Sequence, residues 1–259
     1  MLLELQRGIL YGPVNSRRLG KSLGINLSPT NDKFCSFNCV YCHFGWTKRQ
    51  SLDFTSCLYE LPRADDVVAA VDDALQSNLD FAYLTFSGNG EPTLHPQFPD
   101  MVQEIVALRD RYRPQVKVAL LSNSTGLAYA PVRDVIPRID RPMFKLDAGR
   151  EKTFRAINRP AEGIAFQDII DSLAALDGVY LQTVMIDGTP SNVATDELTA
   201  YFTLLNRIHP REVHIYSIDR PVPDQDIRLV SPERLEEIAA RGRQETGVNM
   251  RAFYPRHAM

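Results

Sequence analysis

The chain is expected to fold as an α/β protein built on an open, curved, parallel sheet. Three observations predict it. Short β-branched or aromatic runs alternate with stretches whose apolar residues recur at helical spacing, which is the pattern of repeated βα units. Such units force parallel neighbours, because a parallel pair needs a crossover connection. Only six strand candidates appear, too few to close an eight-stranded barrel. A length of 259 residues suits one domain, expected over 1–259.

The strands, in order, are Ser22–Leu27, Phe81–Ser87, Val116–Ser122, Pro142–Leu146, Val179–Ile186 and Glu212–Ile218. Helices fill the intervals. Pro62 opens the first, whose Val67, Val68, Val71 and Leu75 share a face. Phe98, Met101, Val102, Ile105 and Leu108 form the apolar face of the second. Ile169, Ile170, Leu173 and Leu176 mark the next, then Leu198, Phe202, Leu205 and Ile208, and finally Leu235 and Ile238.

Composition excludes several classes. No apolar run approaches the ~18 residues of a membrane span. The start, Met1 to Arg7, is too short and too charged for a signal peptide. Four cysteines in 259 residues do not make a disulfide framework, so a reducing cytoplasm is expected. Charge is uneven. Residues 1–50 carry Arg7, Arg17, Arg18, Lys21, Lys33, Lys48 and Arg49 against Glu4 and Asp32, a balance of +5. Residues 241–259 carry Arg241, Arg243, Arg251 and Arg256 against Glu245, a balance of +3, which leaves −11 between. A basic active-site mouth would suit RNA or a phosphorylated metabolite; scattered solvated side chains are the plainer account.

Chemistry concentrates in Cys35, Cys39 and Cys42, spaced C-x3-C-x2-C with Tyr41 before the last. Three thiolates on one loop can hold three irons of a four-iron cluster and leave the fourth open to a ligand. A zinc site would need a fourth ligand, for which His43 and Cys57 are nearby. A redox pair of Cys39 and Cys42 leaves Cys35 unexplained. Cys57 itself reads as a small core residue.

Polar residues gather where strands end, as chemistry at the C-terminal edge of such sheets requires. The second strand runs into Gly88-Asn89-Gly90-Glu91-Pro92, with two glycines for close backbone approach, Asn89 tolerant of left-handed torsions, and a carboxylate. The third ends Ser122-Asn123-Ser124-Thr125, suited to neutral hydrogen bonds, with a helix cap at Ser124 or Thr125 as the alternative. The fourth places Lys145 and Asp147 on one face, either lining a cavity or forming a structural ion pair. Gln182 and Thr183 follow on the fifth. His214 and Tyr216 share a face of the sixth, where a core histidine and a core aromatic are the bland readings.

The cysteine loop at 33–44, the Gly88–Glu91 strand end and the βα pattern together resemble the radical S-adenosylmethionine (SAM) superfamily. The resemblance implies a (β/α)6 partial barrel and a [4Fe-4S] cluster on Cys35, Cys39 and Cys42. A reduced flavodoxin or ferredoxin is implied as electron donor. It implies that reductive SAM cleavage yields a 5′-deoxyadenosyl radical that takes hydrogen from a substrate. It further implies that Gly88, Asn89, Gly90 and Glu91 bind the methionine amino group, although Asn89 replaces a glycine of the usual Gly-Gly-Glu. Ser122 and Asn123 would meet the ribose or carboxylate, Tyr41 and Tyr216 the adenine, with Gln182 also in the cofactor site. Lys145 and Asp147 would act at the catalytic centre. Tyr11 to Gly24, with Ser87 to Pro96, is similar to a small bacterial and archaeal branch related to wyosine-tRNA synthases. Those relatives carry a second cluster on N-terminal cysteines, and no cysteine precedes Cys35 here, so the same reaction is not expected. Arg17, Arg18 and Lys21 are candidates to grip a phosphate. The competing functions are an activase-like enzyme modifying a protein or peptide, and a non-catalytic iron–sulfur or zinc module.

Overall fold

The computed structural model describes residues 2–255, with Ser56 described in its backbone only. Arg256, counted in the basic C-terminal balance, lies outside the described residues. The chain forms two compact units, and it passes from one to the other within strand β7.

The first unit takes in residues 4–36 and 47–143. Its elements are β1 (Leu10–Ser16), β2 (Gly20–Ile25), β3 (Phe34–Cys35), β4 (Arg49–Gln50), α1 (Ala64–Gln76), β5 (Tyr83–Phe86), α2 (Phe98–Tyr112), β6 (Lys117–Ser122) and α3 (Ala130–Val135). β1 and β2 form an antiparallel hairpin, whose register shifts between Tyr11 and Val14. β2, β5 and β6 then pair in parallel. The helices lay apolar faces on this sheet: Val67, Val71 and Leu75 of α1, and Phe98, Met101, Val102 and Ile105 of α2, are buried. Phe86 meets Phe98 edge-on with ring centroids 5.4 Å apart.

The second unit takes in residues 2–3, 37–46 and 144–255. After β7 (Arg141–Lys145) come α4 (Glu151–Asn158), α5 (Phe166–Ala174), β8 (Tyr180–Gly188), α6 (Thr195–Ile208), β9 (Glu212–Ser217), β10 (Ile227–Leu229), α7 (Pro232–Thr246) and β11 (Met250–Phe253). β8, β9 and β11 are parallel, and β10 adds antiparallel to β8. Among the described residues, no helix is long and apolar enough to cross a membrane.

All six expected strands are present, each within two residues at either end. The hairpin strand β1 was not anticipated, since Gly12 and Pro13 read as a turn; Pro13 lacks a donor and sits where the register shifts. α4 was not anticipated either. Its eight residues bury only Phe154, Ile157 and Asn158, too few for a clear apolar stripe.

Candidate functional site

In the first unit, Cys35 lies on β3, which pairs in parallel with β4. Ser51 N–H donates to the Cys35 carbonyl at 3.3 Å, and Gln50 Nε2 to the Ser36 carbonyl at 3.3 Å. Beneath them Phe34, Phe54, Cys57, Leu61 and Leu94 form a small core. Cys57 is fully buried, its Sγ donates to the Phe54 carbonyl, and burial raises its thiol pKa. It is a core residue, as the sequence suggested.

The strand end after β5 lies against this loop. A Cβ on Gly90 would come within 1.8 Å of the Phe34 carbonyl oxygen, and one on Gly88 within 2.4 Å of Asn26 Oδ1. Gly90 therefore serves the close approach of two backbone segments, and Gly88 that of the Asn26 side chain. Gly88 also takes the positive torsion, φ 130°, whereas Asn89 does not, which corrects the expectation of a left-handed asparagine. Asn89 is buried and braced: its Nδ2 donates to the Gln6 and Pro29 carbonyls, and its Oδ1 accepts from Gln6 N–H at 2.7 Å. Gly90→Ala should cost about 3 kcal/mol through overpacking. Urea denaturation checks this, and a variant as stable as wild type would refute the close approach.

Glu91 is buried, and its carboxylate joins two strand ends. Oε1 accepts from Thr93 N–H at 3.2 Å and Thr93 Oγ1 at 2.5 Å; Oε2 accepts from Asn123 N–H at 2.5 Å. Burial lifts its pKa, against the opposing pull of the Asn123, Thr93 and Ser122 hydrogen bonds. Ser122 Oγ accepts from Ser124 N–H at 3.0 Å. Asn123 turns its carboxamide to the cysteine loop: Nδ2 donates to Ser36 Oγ at 2.8 Å and to Cys35 Sγ at 3.6 Å. Its Oδ1 is taken up by Thr125 N–H and Oγ1.

In the second unit, the rest of the cysteine loop is stitched to the end of α4. Asn38 N–H donates to the Asn158 carbonyl at 3.0 Å, and Val40 N–H to that of Ile157 at 3.0 Å. These are carbonyls that a helix terminus leaves without intrahelical partners. Cys42 N–H closes a turn on the Cys39 carbonyl at 3.2 Å. Asp147, buried and placed just after β7, is the hub of the surrounding polar groups. Its Oδ1 accepts from Val184 N–H at 2.8 Å and Lys145 Nζ at 3.5 Å; its Oδ2 accepts from the Tyr41 hydroxyl and from Asn158 Nδ2 at 2.8 Å. Lys145 and Asp147 thus do share a face, as expected, and they form an ion pair.

The Lys145 ammonium also bonds the Tyr216 hydroxyl at 3.1 Å and lies 4.7 Å from the Tyr41 ring centroid and 5.3 Å from that of Tyr216. Burial disfavours its charge, but Asp147, Tyr216 and Cys39 outweigh that and the pKa rises. Tyr41 is shifted up strongly, by burial first and then by Asp147 and Cys39. Gln182 is buried on β8, its carbonyl accepting from Leu146 N–H at 3.3 Å. Thr183 bonds the Leu146 carbonyl and Tyr201. His214 pairs with Glu212 at 2.6 Å against the Phe253 ring, the arrangement of a core histidine. His43 is held below its ordinary pKa by burial.

Asn158 is the residue that the sequence did not reveal. Its Nδ2 faces Cys39 Sγ at 3.5 Å, the Tyr41 hydroxyl at 3.1 Å and Asp147, while its Oδ1 is buried without a partner. That orphaned oxygen is a ready acceptor for a donor-bearing ligand. The basic ends are less available than their count implied. Arg49 is held by Asp32 and Glu60, Lys21 by Asp80, Arg241 by Glu245 and Arg251 by Glu212. Among the described residues no three His, Cys, Asp or Glu side chains gather into a shell for a single metal ion. Two of the three thiols along the cysteine loop are met by carboxamide N–H groups.

Comparison with known proteins accords with these features. Residues 33–198 match the family model described as Radical SAM superfamily. The UPF0026 protein MJ1312 of Methanocaldococcus jannaschii is 31% identical over 89% of this chain and 68% of its own length. A Helicobacter pylori UPF0026 protein is 30% identical over 88% and 72%. The chain also matches the GTPase Obg of Brachyspira hyodysenteriae, 28% identical over 90% of this chain, but spans only 33% of that protein. A radical SAM methyltransferase from Sphaerobacter thermophilus superposes with TM-score 0.65 at 15% identity, covering 92% of this chain and 67% of that one. TYW1 with a lysine–pyruvate adduct bound superposes with TM-score 0.57 at 15% identity, covering 88% and 75%. At these identities the likeness is one of fold, an α/β open half-barrel, as expected. The chain belongs to the radical SAM superfamily, whose cysteine loop, glycine-rich strand end and open sheet it carries.

Proposed function

We propose that Cys35, Cys39 and Cys42 hold a [4Fe-4S] cluster, and that the chain works as one cytoplasmic radical SAM domain on an RNA or a phosphate-bearing metabolite. When bound on these three thiolates, a reduced cluster would supply the electron for cleavage of SAM to methionine and a hydrogen-abstracting 5′-deoxyadenosyl radical. The observation that carries this reading is that two buried cysteine sulfurs are each faced by a carboxamide, Cys35 by Asn123 and Cys39 by Asn158. Such donors favour the thiolate form that irons require.

The remaining residues prepare the site. Glu91 ties the Gly88–Gly90 strand end to Ser122 and Asn123, which fixes the backbone offered to the methionine amino group. Tyr41 and Tyr216 present aromatic surface for adenine. Lys145, held charged between them, binds an anionic group, either the SAM carboxylate or the substrate. Asp147 orients Lys145, Tyr41 and Asn158 and keeps the polar groups satisfied. Gln182 completes the cofactor side.

Anaerobically reconstituted protein, reduced with dithionite in the presence of SAM, is expected to release 5′-deoxyadenosine. None released from protein carrying four irons would defeat the reading. For the substrate, tRNA should bind with a steep loss of affinity as salt rises, and no RNA affinity at low salt would leave the metabolite.

A further inference from the structure

We infer that Asn158 is a positioning residue that sets the reduction potential of the cluster through an N–H···S bond to Cys39. The inference rests on the proposed cluster and goes beyond it in assigning control of its redox level to a residue outside the cysteine loop.

The geometry leaves little freedom. Asn158 is the last residue of α4 and is 1% exposed. The carboxylate of Asp147, 2.8 Å away, needs a donor, so the nitrogen end of the carboxamide must face it. One N–H serves Asp147. The other points among Cys39 Sγ at 3.5 Å and the Tyr41 oxygen at 3.1 Å. Tyr41 directs its hydrogen to Asp147 and also lies beside the Cys39 sulfur, and the amide donates to that sulfur directly. The same residue grips the loop a second way, since its carbonyl accepts from Asn38 N–H. Side chain and backbone of Asn158 together therefore hold the loop beside Cys39 and set a donor on its sulfur.

The consequence follows from charge. One electron added to a cluster increases the negative charge on its thiolate sulfurs, so a hydrogen bond to such a sulfur is stronger in the reduced state. Removing the donor disfavours reduction and moves the midpoint to more negative values. An effect of at least threefold in the reduction equilibrium is expected, tenfold corresponding to about 59 mV for one electron.

The test uses the full chain, anaerobically reconstituted, with dithionite as reductant and the midpoint read by EPR-monitored titration. Asn158→Leu keeps the branched side-chain shape and removes the donor. Four irons bound at a midpoint lowered by the expected amount would support the inference; four irons at an unchanged midpoint would overturn it. A role confined to packing would alter stability and leave the potential in place. Should Asn158→Leu fail to assemble, the wild-type protein decides. Pulsed EPR of the reduced cluster with ¹⁵N-labelled asparagine should show a nitrogen coupling that persists in Asn123→Ala, and its absence there overturns the inference. A wild-type chain that takes up no four-iron cluster sinks the proposed function, and this inference with it.

Discussion

Cys39→Ala is expected to abolish 5′-deoxyadenosine formation while leaving the fold in place. In the proposed cluster the sulfur is one of three ligands within eight residues of chain, and two thiolates leave one iron without its anchor. Cys57 cannot substitute, since it is sealed in the core with Phe34 and Phe54. The structural cost is small, because Asn158 Nδ2 retains Asp147 and Tyr41 as partners and only one sulfur atom leaves. Iron analysis, circular dichroism and product assay together check this. Turnover persisting in the alanine variant would remove Cys39 from the ligand set.

Asp147→Ala is expected to destabilise the chain by about 3–5 kcal/mol, as loss of one partner of a buried charge pair does. The aspartate receives four donors, from Val184, Lys145, Tyr41 and Asn158. Its removal takes the acidic partner from a mostly buried ammonium and an acceptor from two side-chain donors and a backbone N–H. Lys145→Met should cost less, because Asp147 keeps three donors when the lysine goes. Urea titration of the two variants gives the comparison. Equal costs, or an Asp147→Ala loss below about 1 kcal/mol, would show that Asp147 is not the hub.

The six expected strands were legible because β-branched and aromatic runs such as Val116–Ser122 fit a pleated, buried surface and nothing else. The cysteine loop was legible because thiolate spacing is a chemical constraint written directly in sequence. The hairpin strand β1 was hidden by Gly12 and Pro13, which signal a turn wherever they occur. Asn158 was hidden for a different reason. It ends a short helix marked only by Phe154, Ile157 and an exposed Glu151–Arg155 pair, and its partners lie 11 to 119 residues away in sequence. No local pattern encodes a contact of that span. Glu91 lay between these cases: its position at a strand end was readable, but its grip on Asn123 N–H depends on how two βα loops meet.

The stitching of Asn38 and Val40 to the carbonyls at the end of α4 has a consequence for iron supply. Small zinc modules are shaped by their metal, so that chelation unravels them. Here two backbone N–H groups of the cysteine loop are anchored on helix-end carbonyls, so chelation is expected to release the irons of the proposed cluster and leave that anchorage in place.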